Sequence, residues 1–171
     1  MKGNFNRAAF ILPEKENHNM KKLFLRSLPV ALLGAMMMTG TAQAVDPEDA
    51  IEYRQGVFKA FSWNFGPMAG MAQGEIPFNE EMFLERADQL ARLADMPWQG
   101  FTEGSDLGET DAMMEVWEDQ ETWEQKIADF EEEVSRMTAL IDEGADEMQL
   151  RRQAGEIGQS CKACHDSFRA D

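Results

Sequence analysis

The sequence predicts an all-α fold, an antiparallel four-helix bundle, on three observations. Apolar residues recur at steps of three and four in four segments between residues 46 and 168. No stretch sustains the alternation of a half-buried strand. The links between the first and second segments and between the third and fourth are short, which makes those pairs antiparallel neighbours. The middle connection is longer and has the reach to cross over.

The chain opens with residues 1–19, which show no clear period. From Met20 it reads "MKKLFLRSLPVALLGAMMMTGTAQA". Lys21, Lys22 and Arg26 make a basic start, Leu28 to Met38 an apolar run, and Ala42-Gln43-Ala44 a small-residue cleavage site. This is the pattern of a secretory signal peptide. The apolar run, about 11 residues, is too short to span a bilayer. The expectation is that 1–44 is removed, with either Met1 or Met20 as the start. The mature domain is then 45–171, exported to the periplasm and not held in a membrane.

In the first segment Asp46 can cap, Pro47 suits the first helical position, and Glu48 and Asp49 favour the positive end of the helix dipole. Ile51, Phe58, Phe61, Phe65, Met68 and Ala72 follow as a seam that also contains Arg54. The run ends near Gly74, and Gly66-Pro67 is expected to kink it. The second segment starts after Asn79, presents Phe83, Ala87, Leu90 and Ala94, and ends at Pro97. A Gly-rich connection leads on to Trp117. Its Trp98 and Phe101 are large apolar groups for a loop and are expected to fold back over the core.

The third segment begins near Asp119, and Trp123, Ile127, Phe130, Val134, Met137 and Ile141 step through it. Gly144 suits its end. The fourth begins near Asp146 with Leu150, Ala154, Ile157, Cys161, Cys164 and Phe168 in the same rhythm. Such spacing means helices crossing at about 20°. Both cysteines fall on the inward seam.

Residues 45–171 keep ten of the sixteen basic residues and thirty of the thirty-two acidic ones, a net charge of −20. Such a surface repels phosphates and excludes nucleic acid as a partner. It suits a basic redox protein as a partner, or simple solubility.

The only two cysteines stand in "CKACH" near the C-terminus. On a helix Cys161, Cys164 and His165 share one face, with Cβ atoms about 5–6 Å apart. Cys-x-x-Cys-His reads as covalent attachment of haem c, two thioethers at the rim and an imidazole at the iron. Rival readings are a redox disulfide, which belongs with βαβ patterns absent here, a zinc site, which needs a fourth ligand, and chance. Residues 45–171 contain no second histidine. They contain eight methionines, any of which could close the sixth position of the iron. Met68, on the first seam, is the foremost of these.

With "YRQ" (Tyr53, Arg54, Gln55) early in the first helix and "CKACHDSFR" at the C-terminus, the mature chain resembles the cytochromes c′, the class II c-type cytochromes. The resemblance extends over essentially all of residues 45–171. It implies one haem c held by Cys161 and Cys164, with His165 as the metal ligand. It also implies cofactor contacts from Arg54 (to a propionate), Gln55, Phe58, Phe101 and Arg169. Phe58 stands where low-spin relatives carry a methionine, and where leucine is common among the others. It would roof an apolar distal pocket beside Trp98 and Phe101, while Arg169 flanks the proximal side.

The function this implies is that of a five-coordinate, high-spin haem protein that binds nitric oxide, and carbon monoxide weakly, with electron transfer as an accompanying role. Crowding by Phe58 leads to the expectation that NO settles on the proximal side. No acid–base constellation marks an enzyme. The alternatives are a six-coordinate His/Met electron carrier and a haem-free dithiol or metal-binding bundle. The family habit further implies a homodimer through the first two helices.

Overall fold

The computed structural model describes residues 45–170 of the chain. The predicted extension and export signal, 1–44, lie outside the described residues. Helix α1 spans Pro47–Gln73. The Asp46 carboxylate accepts from the Glu48 N–H at 2.9 Å. At the other end Gly74, at φ 77°, turns the chain left-handed so that Glu75 N–H reaches Gly70 C=O at 2.9 Å. The helix runs unbroken through Gly66 and Pro67.

Helix α2 spans Glu80–Leu93, capped by Asn79, whose side chain accepts from Met82 N–H at 2.8 Å. It ends short of Pro97, where the sequence placed its stop. Pro97 instead opens a 3₁₀ turn, Pro97–Gly100, at a position where its missing N–H would have had no partner. A four-residue helix, α3 (Glu115–Glu118), interrupts the connection and is too short to leave a periodic trace. Helix α4 spans Gln120–Asp142 behind an Asp119 cap. Helix α5, Glu147–Phe168, starts with a reciprocal capping box in which Asp146 and Gln149 each bond the other's backbone N–H at 2.9 Å.

Hydrogen bonds fix the helix directions. Tyr53, near the start of α1, donates to Met96 C=O just after α2. Met113, just before α3 and α4, donates its N–H to Phe168 C=O at the end of α5. The starts of α1 and α4 and the ends of α2 and α5 therefore share one end of the bundle, so neighbours alternate in direction. The middle connection stays at that end and does not cross the length of the bundle. Among the described residues there is no strand, only an isolated bridge between Ala112 and Arg169, and no helix is long and apolar enough to cross a membrane.

Two apolar clusters form the interior. The larger gathers Phe61, Met68, Met71, Phe83, Leu90, Phe130, Val134, Met137, Leu150 and Ile157. Phe61 stacks on Phe130 at 5.4 Å between ring centroids. The smaller centres on Val116, Trp123 and Phe168 at the end that carries the connection. The α1 stripe is wider than its predicted seam, because Val57, Asn64 and Met71 are buried too. Phe58 and Phe65 are only half-buried because they border a cavity between the two clusters.

Candidate functional site

That cavity encloses about 430 Å³, within the range of cofactor and ligand pockets. The last turns of α5 bring Cys161, Cys164 and His165 to it. The start of α1 contributes Arg54, Gln55 and Phe58, the connection Trp98 and Phe101, and the residue after α5 is Arg169. All nine of these residues, each named from the sequence, thus line one cavity.

Both thiols are free and half-buried. Burial pushes each up to about 11, although the nearby Lys126 charge works the other way at Cys164. Near neutral pH they are uncharged sulfurs on an apolar wall. His165 keeps an exposed edge. Packing on the rest of its ring, with the Arg169 charge beside it, holds its pKa below the ordinary value. The imidazole is then neutral at pH 7, the form with a lone pair for a metal. Among the described residues no three His, Cys, Asp or Glu side chains gather as a cage for an ion.

An aromatic group makes up the wall around Phe58. Its ring meets Phe61 at 5.6 Å, Trp98 at 5.9 Å and Phe101 at 6.3 Å, each edge-on. Trp98 is fixed by its indole N–H, which donates to Glu131 at 2.9 Å, and Phe101 packs on Trp123 at 4.7 Å. The two loop aromatics do fold back over the core. None of the eight methionines lines the cavity. Met68 is fully buried in the larger cluster.

Arg54 is 2% exposed. Its terminal nitrogens donate to Gly100 C=O at 2.8 Å and to Ser105 Oγ, Ser105 C=O and Thr110 Oγ1 at 2.7 Å each. All four acceptors are neutral oxygens of the connection. The guanidinium also lies 4.6 Å from the Phe101 ring centre. Burial lowers its pKa from the ordinary value. These four bonds engage both terminal nitrogens, so the propionate contact expected from the resemblance would have to use the Nε–H. Gln55 likewise reaches the connection, donating to Glu109 C=O at 2.7 Å.

Lys59 and Lys126 also line the cavity and were not singled out from the sequence. A signal was present for Lys126, which sits three residues after Trp123 and four before Phe130, on one helical face. With Arg54 and Arg169 they give the cavity four cations against one carboxylate, Asp111, which pairs with Arg169 at 3.4 Å. Local charge there is opposite in sign to that of the whole surface.

These residues fit a flat apolar macrocycle. Two thiols and an imidazole project from one helix, aromatic side chains supply the walls, and the buried Arg54 cation joins the lining. The sequence model of the family described as Cytochrome C′ matches residues 49–169. The chain is similar to a cytochrome c′ of Halomonas halodenitrificans, 44% identical over 131 residues that cover 74% of this chain and 99% of the relative. It superimposes on cytochrome c prime from Shewanella frigidimarina with a TM-score of 0.69 at 36% identity, covering 74% of this chain and 98% of that one. It also resembles cytochrome c prime from Alcaligenes xylosoxidans, solved as a nitric oxide complex of a leucine-to-alanine variant. That likeness has a TM-score of 0.66 at 33% identity, over 74% of this chain and 98% of that one. A leucine-to-glycine variant of the same protein was solved with carbon monoxide bound.

Proposed function

The chain belongs to the cytochrome c′ family and carries haem c, and from that premise we propose that it is a periplasmic gas-binding protein with a five-coordinate, high-spin iron. When bound, the haem supplies an iron centre able to take a diatomic gas at the position the protein does not fill. Cys161 and Cys164 hold the macrocycle covalently. His165, kept neutral by partial burial and by Arg169, offers its nitrogen from one side.

Phe58, Trp98 and Phe101 would keep water from the open position and would present no polar group favouring anions or O₂. NO and CO need less polar stabilisation. The bulk of Phe58 narrows the room for CO, so CO binding is expected to be weak.

The observation that carries the reading is the composition of the lining: it contains no methionine and, apart from His165, no histidine. A His/Met electron carrier would need Met68 or another sulfur brought out of the core. The one lining carboxylate, Asp111, is engaged by Arg169, which favours binding over turnover. Trp63, 71% exposed on α1, supports a homodimer through α1 and α2. A weakly concentration-dependent sedimentation coefficient at monomer mass would end that part.

Absorption spectra of the purified protein test the rest. The expected result is pigment retained after acid-acetone extraction, a broad ferrous Soret band, and a clear change with NO. Sharp ferrous α and β bands with a sulfur-to-iron charge-transfer band would overturn the open-site reading.

A further inference from the structure

Three consecutive residues of α1 bind the middle connection along its length. Tyr53 donates to Met96 C=O at 3.0 Å and accepts from Gln99 Nε2 at 2.9 Å. Arg54 makes its four bonds to Gly100, Ser105 and Thr110, and Gln55 reaches Glu109. Gly100 lies so close to α1 that an added Cβ would stand 2.8 Å from Arg54 Cβ. Ser105, fully buried, also bonds back to Thr102 C=O at 2.8 Å, which closes the turn around the guanidinium.

We propose that Tyr53, Arg54 and Gln55 act together as a latch that holds the connection against α1 and so positions Trp98 and Phe101 as part of the cavity wall around Phe58. Arg54 is the centre of this latch. Its guanidinium is a planar fork with fixed donor directions, and each terminal nitrogen serves two acceptors. Phe101 lies directly on the guanidinium, and Trp98 falls between Met96 and Gly100, both of which the latch holds. A bare positive charge at this place would serve a cofactor carboxylate equally well, but it could not hold four oxygens in four directions. The fork, rather than the charge, is what the connection requires. Access of a gas to the Phe58 side then depends on residues that never touch the gas. This part of the inference rests on the gas-binding reading above; the holding of the connection does not.

The test uses the haem-loaded protein and the variants Arg54→Lys and Tyr53→Phe. Lysine keeps the charge and loses the fork. Tyr53 does not line the cavity. Amide hydrogen exchange over residues 98–110, followed by mass spectrometry, reads the latch without reference to the haem, and stopped-flow CO association reads its effect on the site. Arg54→Lys is expected to speed exchange in this segment by about ten-fold or more, since several bonds go together, and to speed CO association. Tyr53→Phe is expected to move both in the same direction by less. Exchange within about two-fold of wild type in both variants, less than the loss of a single bond would produce, would overturn the latch. Faster exchange with an unchanged CO rate would overturn its positioning of the wall. Absence of covalent haem would sink the gas-binding reading, and the exchange measurement would still decide the latch.

Discussion

Replacing Gly100 by alanine adds one methyl group where α1 and the 3₁₀ turn meet. Its Cβ would lie 2.8 Å from Arg54 Cβ, 3.0 Å from Ala50 C=O and 3.1 Å from Tyr53 Cδ1. The first two are atoms tied directly to the α1 backbone, so relief requires the turn to move and not a rotamer to change. Overpacking of this kind destabilises by about 1–3 kcal/mol. The backbone of Gly100 is not left-handed, so alanine regains about 0.5–1 kcal/mol through the unfolded chain. The net expectation is a loss of about 1–2 kcal/mol and a melting point lower by roughly 3–8 °C. Gly155→Ala on α5 is the control. Nothing lies within 4 Å of its added Cβ, so the same chemical change should raise the melting point by a few degrees. Far-UV circular dichroism of both haem-loaded variants measures this. A Gly100→Ala protein melting at or above wild type would refute the claim that the close approach holds the turn.

Phe58→Ala should raise CO affinity by about ten-fold or more, since the ring that narrows the pocket is gone and such steric terms run to a few kcal/mol; equilibrium CO titration measures it, and an unchanged affinity removes Phe58 from the gas side. Met68→Leu should leave the Soret band in place and destabilise by less than about 1.5 kcal/mol, as a volume-conserving core change; a spectral shift would make Met68 a ligand. Cys161→Ala with Cys164→Ala should release the pigment into acid acetone, whereas retention would place the attachment elsewhere. Asp146→Ala removes half of the capping box and should lower the melting point by the equivalent of about 1 kcal/mol with no spectral change.

Local chemistry was legible in the sequence. Asp46, Asn79, Asp119 and Asp146 each cap the helix read from them, because capping depends on neighbours two or three residues away. The residues lining the cavity were legible for two reasons: Cys161, Cys164 and His165 share one helical face, and the resemblance carried by "YRQ" and "CKACHDSFR" implied the others. The partners of Arg54 were not. They lie 46 to 56 residues away in a loop, and no periodicity announces which loop oxygen will face a buried cation. Lys59 and Lys126 were hidden by the habit of reading charged residues as solvated. Met68 looked available from its seam position, and only packing against the larger cluster takes it away from the cavity.

The gap between the two apolar clusters has a consequence for maturation. A bundle whose interior is parted beside Phe58 and Ile157 lacks part of its own cohesion until pigment fills the space. Polypeptide that escapes the attachment machinery would open more readily and fall to proteases. The standing amount of this protein in a cell would then report how well porphyrin supply keeps pace with synthesis of the chain.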